Sequence, residues 1–312
     1  MRRLVLGTRG SALARAQTSL VEQALRAARP EVDLAVEIIT TRGDEKSSGR
    51  EEVPDAHAGR KGLFTGEIER ALLDHEIDVA IHSAKDLPSD PTPGLEIGAV
   101  LPRASVEDVL VTKSGGDLTQ LPSQAIVATG SVRRQHQLRW QRPDLRLVEL
   151  RGNVPTRLRK LTANEWSGIV LARAGLERLG FPVARGTIDF ERHVLQTSIL
   201  SEEFFLPAGG QGIVALQMRS DDRTTRDLLV SVDHVYDHFC LRAEREFLRL
   251  LQGDCGTPVG VLATIVDGGM TIRAQVFDEG ATAPRVACLR KAELPNEPEA
   301  LGAELLELIN GG

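Results

Sequence analysis

Aromatic residues are scarce in this 312-residue chain, 4% of the total with one Tyr and two Trp. So thin a supply argues against the stacking platforms that hold single-stranded nucleic acid. A basic excess is also missing: the formal net charge is −6 and the pI about 5.7, which excludes a generally basic nucleic-acid surface but leaves room for a local basic cleft. No apolar run approaches the roughly 20 residues that a membrane helix requires. The opening MRRLVLGTRG runs straight into a strand pattern without a signal-peptide core. Only three cysteines occur, Cys240, Cys255 and Cys288, with neither CxxC spacing nor a paired framework, so a reduced cytoplasmic protein with free thiols is expected. HExxH and GxSxG are absent, and nothing asks for a metal. GRKGLFTGE lacks Walker A spacing, and AGGQG follows no strand and has the wrong glycine spacing for a dinucleotide fingerprint.

What is present is strand–helix alternation, the mark of α/β architecture. A buried strand over 4–7 leads through TRGS to a helix whose apolar residues Leu13, Leu20, Val21, Ala24, Leu25 and Ala28 share one face, with Ser11 as N-cap. Strands follow at 34–39 and 78–82, with a helix over 65–73 between them. The polar, aperiodic stretch 45–60 reads as a mobile flap. The pattern then restarts: strand 125–128, TGSVRR, a helix opening over 135–140, strand 147–150, RGNVPTR, a helix, and strand 168–172. The two halves rhyme weakly and suggest two similar α/β domains around a shared cleft. The last third changes character. A helix over 235–251 presents Val235, Phe239, Ala243, Phe247 and Leu250, and strands 259–266 and 270–276 are joined by Asp267-Gly268-Gly269, a strong hairpin signal. A third strand over 286–289 and a closing helix over 299–309 complete a small α+β unit with an antiparallel sheet.

Arg9, Arg42, Arg133, Arg134, Arg151 and Arg157 all fall at or just after strand C-termini, where open α/β sheets bind ligands. A planar guanidinium fork suits carboxylates and phosphates. The bland alternative is a set of solvated surface arginines. In SAKDLP, Lys85 and Asp86 follow a strand ending at His82, placing a base and an acid where protons could be handled; a turn salt bridge is the alternative, and a core histidine for His82. Cys255 lies in the glycine-rich GDCGTPVG, accessible in principle, whereas Cys240 in a helix and Cys288 in a strand read as structural.

The motifs TRGSALARAQ (8–17), TRGD (41–44), KGLFTGEIERALL (61–73), HSAKDLP (82–88), TGSVRRQHQL (129–138), LRGNVPTRL (150–158), LARAGLERLG (171–180), LPAGGQGIVALQMR (206–219), AERE (243–246) and GDCGTPVG (253–260) together resemble the hydroxymethylbilane synthase (porphobilinogen deaminase) family, in its order and over nearly the whole chain. The resemblance implies a transferase that condenses four porphobilinogen molecules head to tail, with loss of ammonia, on a dipyrromethane cofactor thioether-linked to Cys255, and then releases linear hydroxymethylbilane by hydrolysis. It implies Asp86 as the catalytic acid. Ser83, Lys85, Thr129, Ser131, Arg133, Arg134 and Arg151 would hold the cofactor, and Arg9, Ser11, Lys61 and Arg157 the substrate carboxylates. It further implies two periplasmic-binding-protein-like α/β domains, 1–101 with 213–230 and 102–212, and a third, α+β domain, 231–312, carrying the cysteine. A cytoplasmic monomer acting on a small molecule, with no nucleic-acid or membrane partner, is expected. His57 replaces a common lysine, Pro155 replaces a glycine, Gly10 and Gly130 sit at variable positions, and 181–205 is longer than in many relatives. Two rivals remain: a two-lobed binding protein for a small anion, which gives Cys255 no role, and another cysteine transferase, which would want a histidine beside Cys255.

Overall fold

Among the described residues, fourteen strands fall in chain order at β1 (Arg3–Arg9), β2 (Asp33–Ile39), β3 (Val79–Ser83), β4 (Leu95–Val100), β5 (Asp108–Thr112), β6 (Ile126–Ala128), β7 (Arg146–Val148), β8 (Gly168–Ala172), β9 (Thr187–Phe190), β10 (His193–Leu200), β11 (Val214–Arg219), β12 (Val259–Val266), β13 (Gly269–Val276) and β14 (Arg285–Lys291). The computed structural model describes residues 3–40, 65–252 and 257–311. The flap expected over 45–60, Arg42, His57, Lys61 and Cys255 lie outside the described residues.

The strands form a first sheet in the order β2-β1-β3-β11-β4, a second in the order β7-β6-β8-β5-β10-β9, and a third in the order β12-β13-β14. The first two sheets match over five strands, and the second adds β9 at its edge. Each has three parallel strands, β2-β1-β3 and β7-β6-β8, followed by an antiparallel one, β11 or β5. The weak internal repeat is therefore real topology. β5 and β11 are the strands reached immediately after the chain crosses between sheets. The two crossovers lie side by side: Leu101 N donates to Val214 O and Ala104 N to Gly212 O, both at 3.1 Å.

Local chemistry sets the helices. In α1 (Ala12–Ala28), Ser11 Oγ accepts Ala14 N as expected, and Val21 and Leu25 bury against Leu4, Leu6, Val79 and Ile81. Each such side chain contributes about 1.5–3 kcal/mol on burial. Next come α2 (Gly66–Leu73) and α3 (Val132–Gln141). α3 starts three residues before the expected Gln135, because Ser131 Oγ caps Arg134 N at 3.5 Å. α4 (Val154–Ala163) is capped by Asn153 and takes Pro155 in its first turn, where a missing N–H costs nothing; this accounts for one departure from the family pattern. Gly130 accounts for another: a Cβ there would stand 2.5 Å from Leu150 O. α5 (Arg173–Arg178) and α6 (Arg223–Leu229) follow.

In α7 (Val235–Leu250) the buried stripe is Cys240, Leu241, Ala243, Glu244 and Phe247. It is rotated from the expected one, and Val235 is exposed. α7 packs on α8 (Pro298–Gly311), where a Cβ on Gly302 would meet Ala243 O at 2.5 Å. The β12–β13 turn has φ of 51° at Asp267 and 77° at Gly268, the paired left-handed conformation of a tight hairpin. β14 is an edge strand with alternating burial, which leaves Cys288 exposed rather than structural. The unassigned 181–205 segment contains the β9–β10 hairpin, which extends the second sheet.

Candidate active site

The first sheet delivers its part of the site at the end of β3. A short 3-10 turn, Ala84–Asp86, throws Lys85 and Asp86 past the sheet edge. Lys85 is half-buried and Asp86 exposed. Behind them His82 is buried. Its Nε2 meets Gln217 Oε1 at 3.0 Å, and burial lowers its pKa to about 4, so it is a neutral core histidine. Ser83 Oγ accepts Gln17 Nε2 at 2.8 Å, which fixes the strand end to α1. Arg9, half-buried at the end of β1, lies within charge reach of His82.

The second sheet delivers a buried clamp. Asp108, at the head of β5, has no exposed surface. Its Oδ1 accepts Arg134 Nη2 at 2.7 Å and Gln211 Nε2 at 2.9 Å; its Oδ2 accepts Arg133 Nη2 at 2.9 Å and Arg134 Nε at 3.1 Å. The two guanidiniums hold the Asp108 carboxyl well below the usual carboxylate range despite its burial. Arg134 also donates to Val170 O, and Arg133 to Leu206 O and Gln137 Oε1. The arginine pair expected to reach out from one helix start is thus largely engaged inside. One donor is an exception: Arg133 Nε is buried and has no hydrogen-bond partner among the described residues.

The two parts meet. Lys85 Nζ donates to Gln211 Oε1 at 3.2 Å, and Gln211 donates to Asp108. Burial lowers the Lys85 pKa to about 8, with Arg134 and Arg133 adding to the shift and Asp86 and Asp108 opposing it. Arg157 donates from Nε to Gly152 O at 2.6 Å; burial, then Arg134, lower its pKa to about 10, and Asp86 opposes. Lys85, Asp86, Arg157, Arg133, Arg134 and Asp108 therefore share one electrostatic neighbourhood. Thr129 is buried and its Oγ1 accepts Ser131 N at 3.3 Å; Ser11 and Ser131 serve as helix caps. Arg151 stands apart. It is exposed and paired with Glu149 at 2.7 Å.

The sequence reading missed Asp108, Gln211, Arg103 and Glu244. An acid at the head of an apolar strand was the one local signal for Asp108. Gln211 sat within the glycine stretch rejected as a nucleotide motif.

Comparison with known proteins decides the family. Residues 4–227 match the model "Porphobilinogen deaminase, dipyromethane cofactor binding domain" and residues 238–310 match "Porphobilinogen deaminase, C-terminal domain". This chain belongs to the porphobilinogen deaminase family. The porphobilinogen deaminase of Syntrophobacter fumaroxidans is 39% identical over 98% of this chain and 94% of its own length. That of a Roseiflexus species is 41% identical over 99% of this chain and 96% of its own length. Among solved structures, the periplasmic VFT2 domain of Bordetella pertussis BvgS aligns with TM-score 0.43 and 14% identity, over 74% of this chain and 86% of that one. That likeness is too distant to bear on function. No helix among the described residues is long and apolar enough to cross a membrane.

Proposed function

We propose that this family member works as a hydroxymethylbilane synthase through the residues gathered around Asp86. It condenses porphobilinogen head to tail with loss of ammonia on a covalent dipyrromethane and releases the linear product by hydrolysis. The observation that carries the reading is an exposed carboxylate, Asp86, set beside Lys85 and Arg157 in a neighbourhood rich in cations. A substrate with two carboxylate arms needs that kind of surroundings.

The residues present fit the cofactor by their chemistry. They offer ammonium, guanidinium and hydroxyl donors, and one buried guanidinium nitrogen, Arg133 Nε, lacks an acceptor among the described residues. When bound, the dipyrromethane supplies the electron-rich pyrrole carbon to which each new unit is joined. Lys85, Arg133, Arg134, Ser83, Thr129 and Ser131 line the cofactor side of this proposal; Arg9, Ser11 and Arg157 would meet incoming carboxylates. Arg151 would have to leave Glu149 to take part. Lys61 and the attachment residue Cys255 complete the set from outside the described residues.

Asp86 has two tasks. Its carboxylate stabilises positive charge that develops on a pyrrole nitrogen, and its oxygens relay to the departing amine the proton that ring substitution releases. Lys85 and Arg157 bind carboxylate arms and keep the ring edge turned toward Asp86. The domain division at 1–101 with 213–230, 102–212 and 231–312 belongs to the same proposal, supported by the paired crossovers near Arg103 and Gln211. So does action as a cytoplasmic monomer, which the free thiols of Cys240 and Cys288 favour over an oxidising compartment.

The test is direct. Purified protein incubated with porphobilinogen should consume it with release of ammonia and yield hydroxymethylbilane. Its denatured mass should exceed the chain mass by two linked pyrrole units, located on Cys255. Binding of porphobilinogen without turnover would instead favour a two-lobed anion receptor.

A further inference from the structure

Gln211 lies in the return crossover and is 1% exposed. Its side-chain nitrogen is fully committed, donating to Val106 O at 2.6 Å and to Asp108 Oδ1 at 2.9 Å. With both N–H groups spent on acceptors, the orientation of the amide is fixed by chemistry, and Oε1 must face the other way. It faces Lys85 Nζ at 3.2 Å. Lys85 comes from the end of β3 in the first sheet and Asp108 from the head of β5 in the second. Asp108 already accepts from Arg133 Nη2, Arg134 Nε, Arg134 Nη2 and Gln211 Nε2. A carboxylate presents about four lone-pair directions, so a further ammonium is not well served by direct contact. The amide acts as an adapter, turning the carboxylate of one unit into an acceptor for the cation of the other.

Gln211 is itself anchored. Its backbone carbonyl accepts Arg103 Nε at 2.9 Å, and Arg103 is locked to Glu244. Next to it, Gly210 has φ +74°, and a Cβ there would stand 3.0 Å from Ala84 and Lys85 backbone atoms. The crossover therefore presses against the turn that carries Lys85, and the amide has little freedom to swing.

We propose that Gln211 is a positioning residue for the reaction proposed above: it holds the Lys85 ammonium of one α/β unit at a fixed spacing from the Asp108–Arg133–Arg134 clamp of the other, so that cations from both meet a dicarboxylate pyrrole together. The idea rests on that functional reading. It explains why a neutral, buried side chain stands between the Lys85 ammonium and the Asp108 carboxylate. A charge there would oppose either Asp108 or Lys85.

Two variants and two readouts test it. Gln211→Met keeps length and removes hydrogen bonding. Gln211→Glu keeps an oxygen toward Lys85 but adds negative charge. The first readout is the pH midpoint of Lys85 acylation, mapped by peptide mass spectrometry on the purified protein. Among the described residues, the charged groups around Lys85 are Asp86, Asp108, Arg133 and Arg134, and none of them changes in these variants. The midpoint should fall in Gln211→Met, because the ammonium loses the Gln211 acceptor, and rise in Gln211→Glu. The second readout is turnover: Gln211→Met should raise KM for porphobilinogen about tenfold, the scale of one lost hydrogen bond to a charged group, with a smaller change in kcat. Unchanged Lys85 midpoints in both variants overturn the proposal, as does a Gln211→Met protein that loses kcat at constant KM. If the unaltered protein turns over no porphobilinogen, the functional reading has failed, while the acylation midpoints still report on the Lys85–Gln211 link. In the unaltered protein, the Gln211 side-chain amide resonance should shift with the Lys85 midpoint near pH 8. An amide blind to that titration overturns the proposal whether or not the variants fold.

Discussion

Arg103 and Glu244 form a two-point ion pair, Glu244 fully buried and the Arg103 side chain nearly so, with Nη1 to Oε1 at 2.6 Å and Nη2 to Oε2 at 3.2 Å. The pair is a junction. Arg103 N donates to Asp237 at 2.7 Å and Arg103 Nε to Gln211 O at 2.9 Å, while Glu244 accepts Gly210 N at 2.6 Å and Ala263 N at 2.8 Å. Both crossovers, α7 and β12 are thereby fastened at one point.

Breaking that junction from one side should be costly. Glu244→Gln leaves the Arg103 guanidinium buried without its counter-charge. The expected loss is about 3–5 kcal/mol of unfolding free energy, the range for an orphaned buried charge. Urea denaturation followed by circular dichroism measures it, and a loss under 1 kcal/mol, the scale of a surface ion pair, would refute the assignment.

Asp108→Asn should act in the same way with an added pH signature. The folded pKa of Asp108 is depressed below its unfolded value of about 3.9, so its stabilisation is fully present above that value and drains away as pH falls through lower values. The variant should be less stable than the parent at neutral pH, by roughly 3–5 kcal/mol. The gap should narrow in acid, because the parent loses the term that the variant never had. Melting curves from pH 7 downward check the convergence; a gap constant with pH would show that Asp108 does not carry it.

Asp86→Asn tests chemistry rather than stability. Asp86 is exposed at the tip of its turn, so the fold should survive unchanged. Removing the negative charge should cost about 10²–10³ in kcat, the scale of losing one preorganised electrostatic group. Intact mass should still show the bound cofactor. An Asn variant with near-parent kcat would remove Asp86 from the mechanism.

The thiols should separate in reactivity. Burial pushes the Cys240 thiol up to about 12, whereas Cys288 is exposed on β14. Iodoacetamide at pH 8 should alkylate Cys288 in the native protein and spare Cys240 until denaturant is added. Peptide mapping distinguishes the two, and native labelling of Cys240 would contradict the packing of α7.

Much of this was legible in the sequence because it depended on neighbours in the chain. Ser11 and Ser131 announce their helices through contacts three residues away. Asp267-Gly268 declares a hairpin through backbone angles that few other residues adopt readily. Lys85, Asp86 and Arg157 could be placed because strand ends collect ligands. The buried clamp was not legible. Asp108 meets Arg134 across 26 residues, Gln211 meets Asp108 across 103, and Arg103 meets Glu244 across 141. Nothing in local periodicity encodes such partners. Arg133 and Arg134 looked like free forks because the acid that engages them lies on a strand whose apolar run gave no turn signal. β11 gave no strand signal of its own, and only the family resemblance set 213–230 with the first domain: the strand is uniformly buried, and it takes its place between two strands made more than a hundred residues earlier.

That placement of β11 governs the order in which a nascent chain can acquire structure. β3 and β4 are not paired to each other; β11 joins them. Until the ribosome has passed residue 219, the first sheet exists as two pieces with unpaired edges, a state open to wrong pairing. The second sheet has no such delay, since β5 to β10 emerge as one uninterrupted run. It should close first and bring residues 104 and 212 together, leaving a ready slot into which β11 is delivered. Chains arrested just short of β11 should yield a protease-resistant core confined to about residues 105–211, and digestion of that core as fast as the rest would reverse the order.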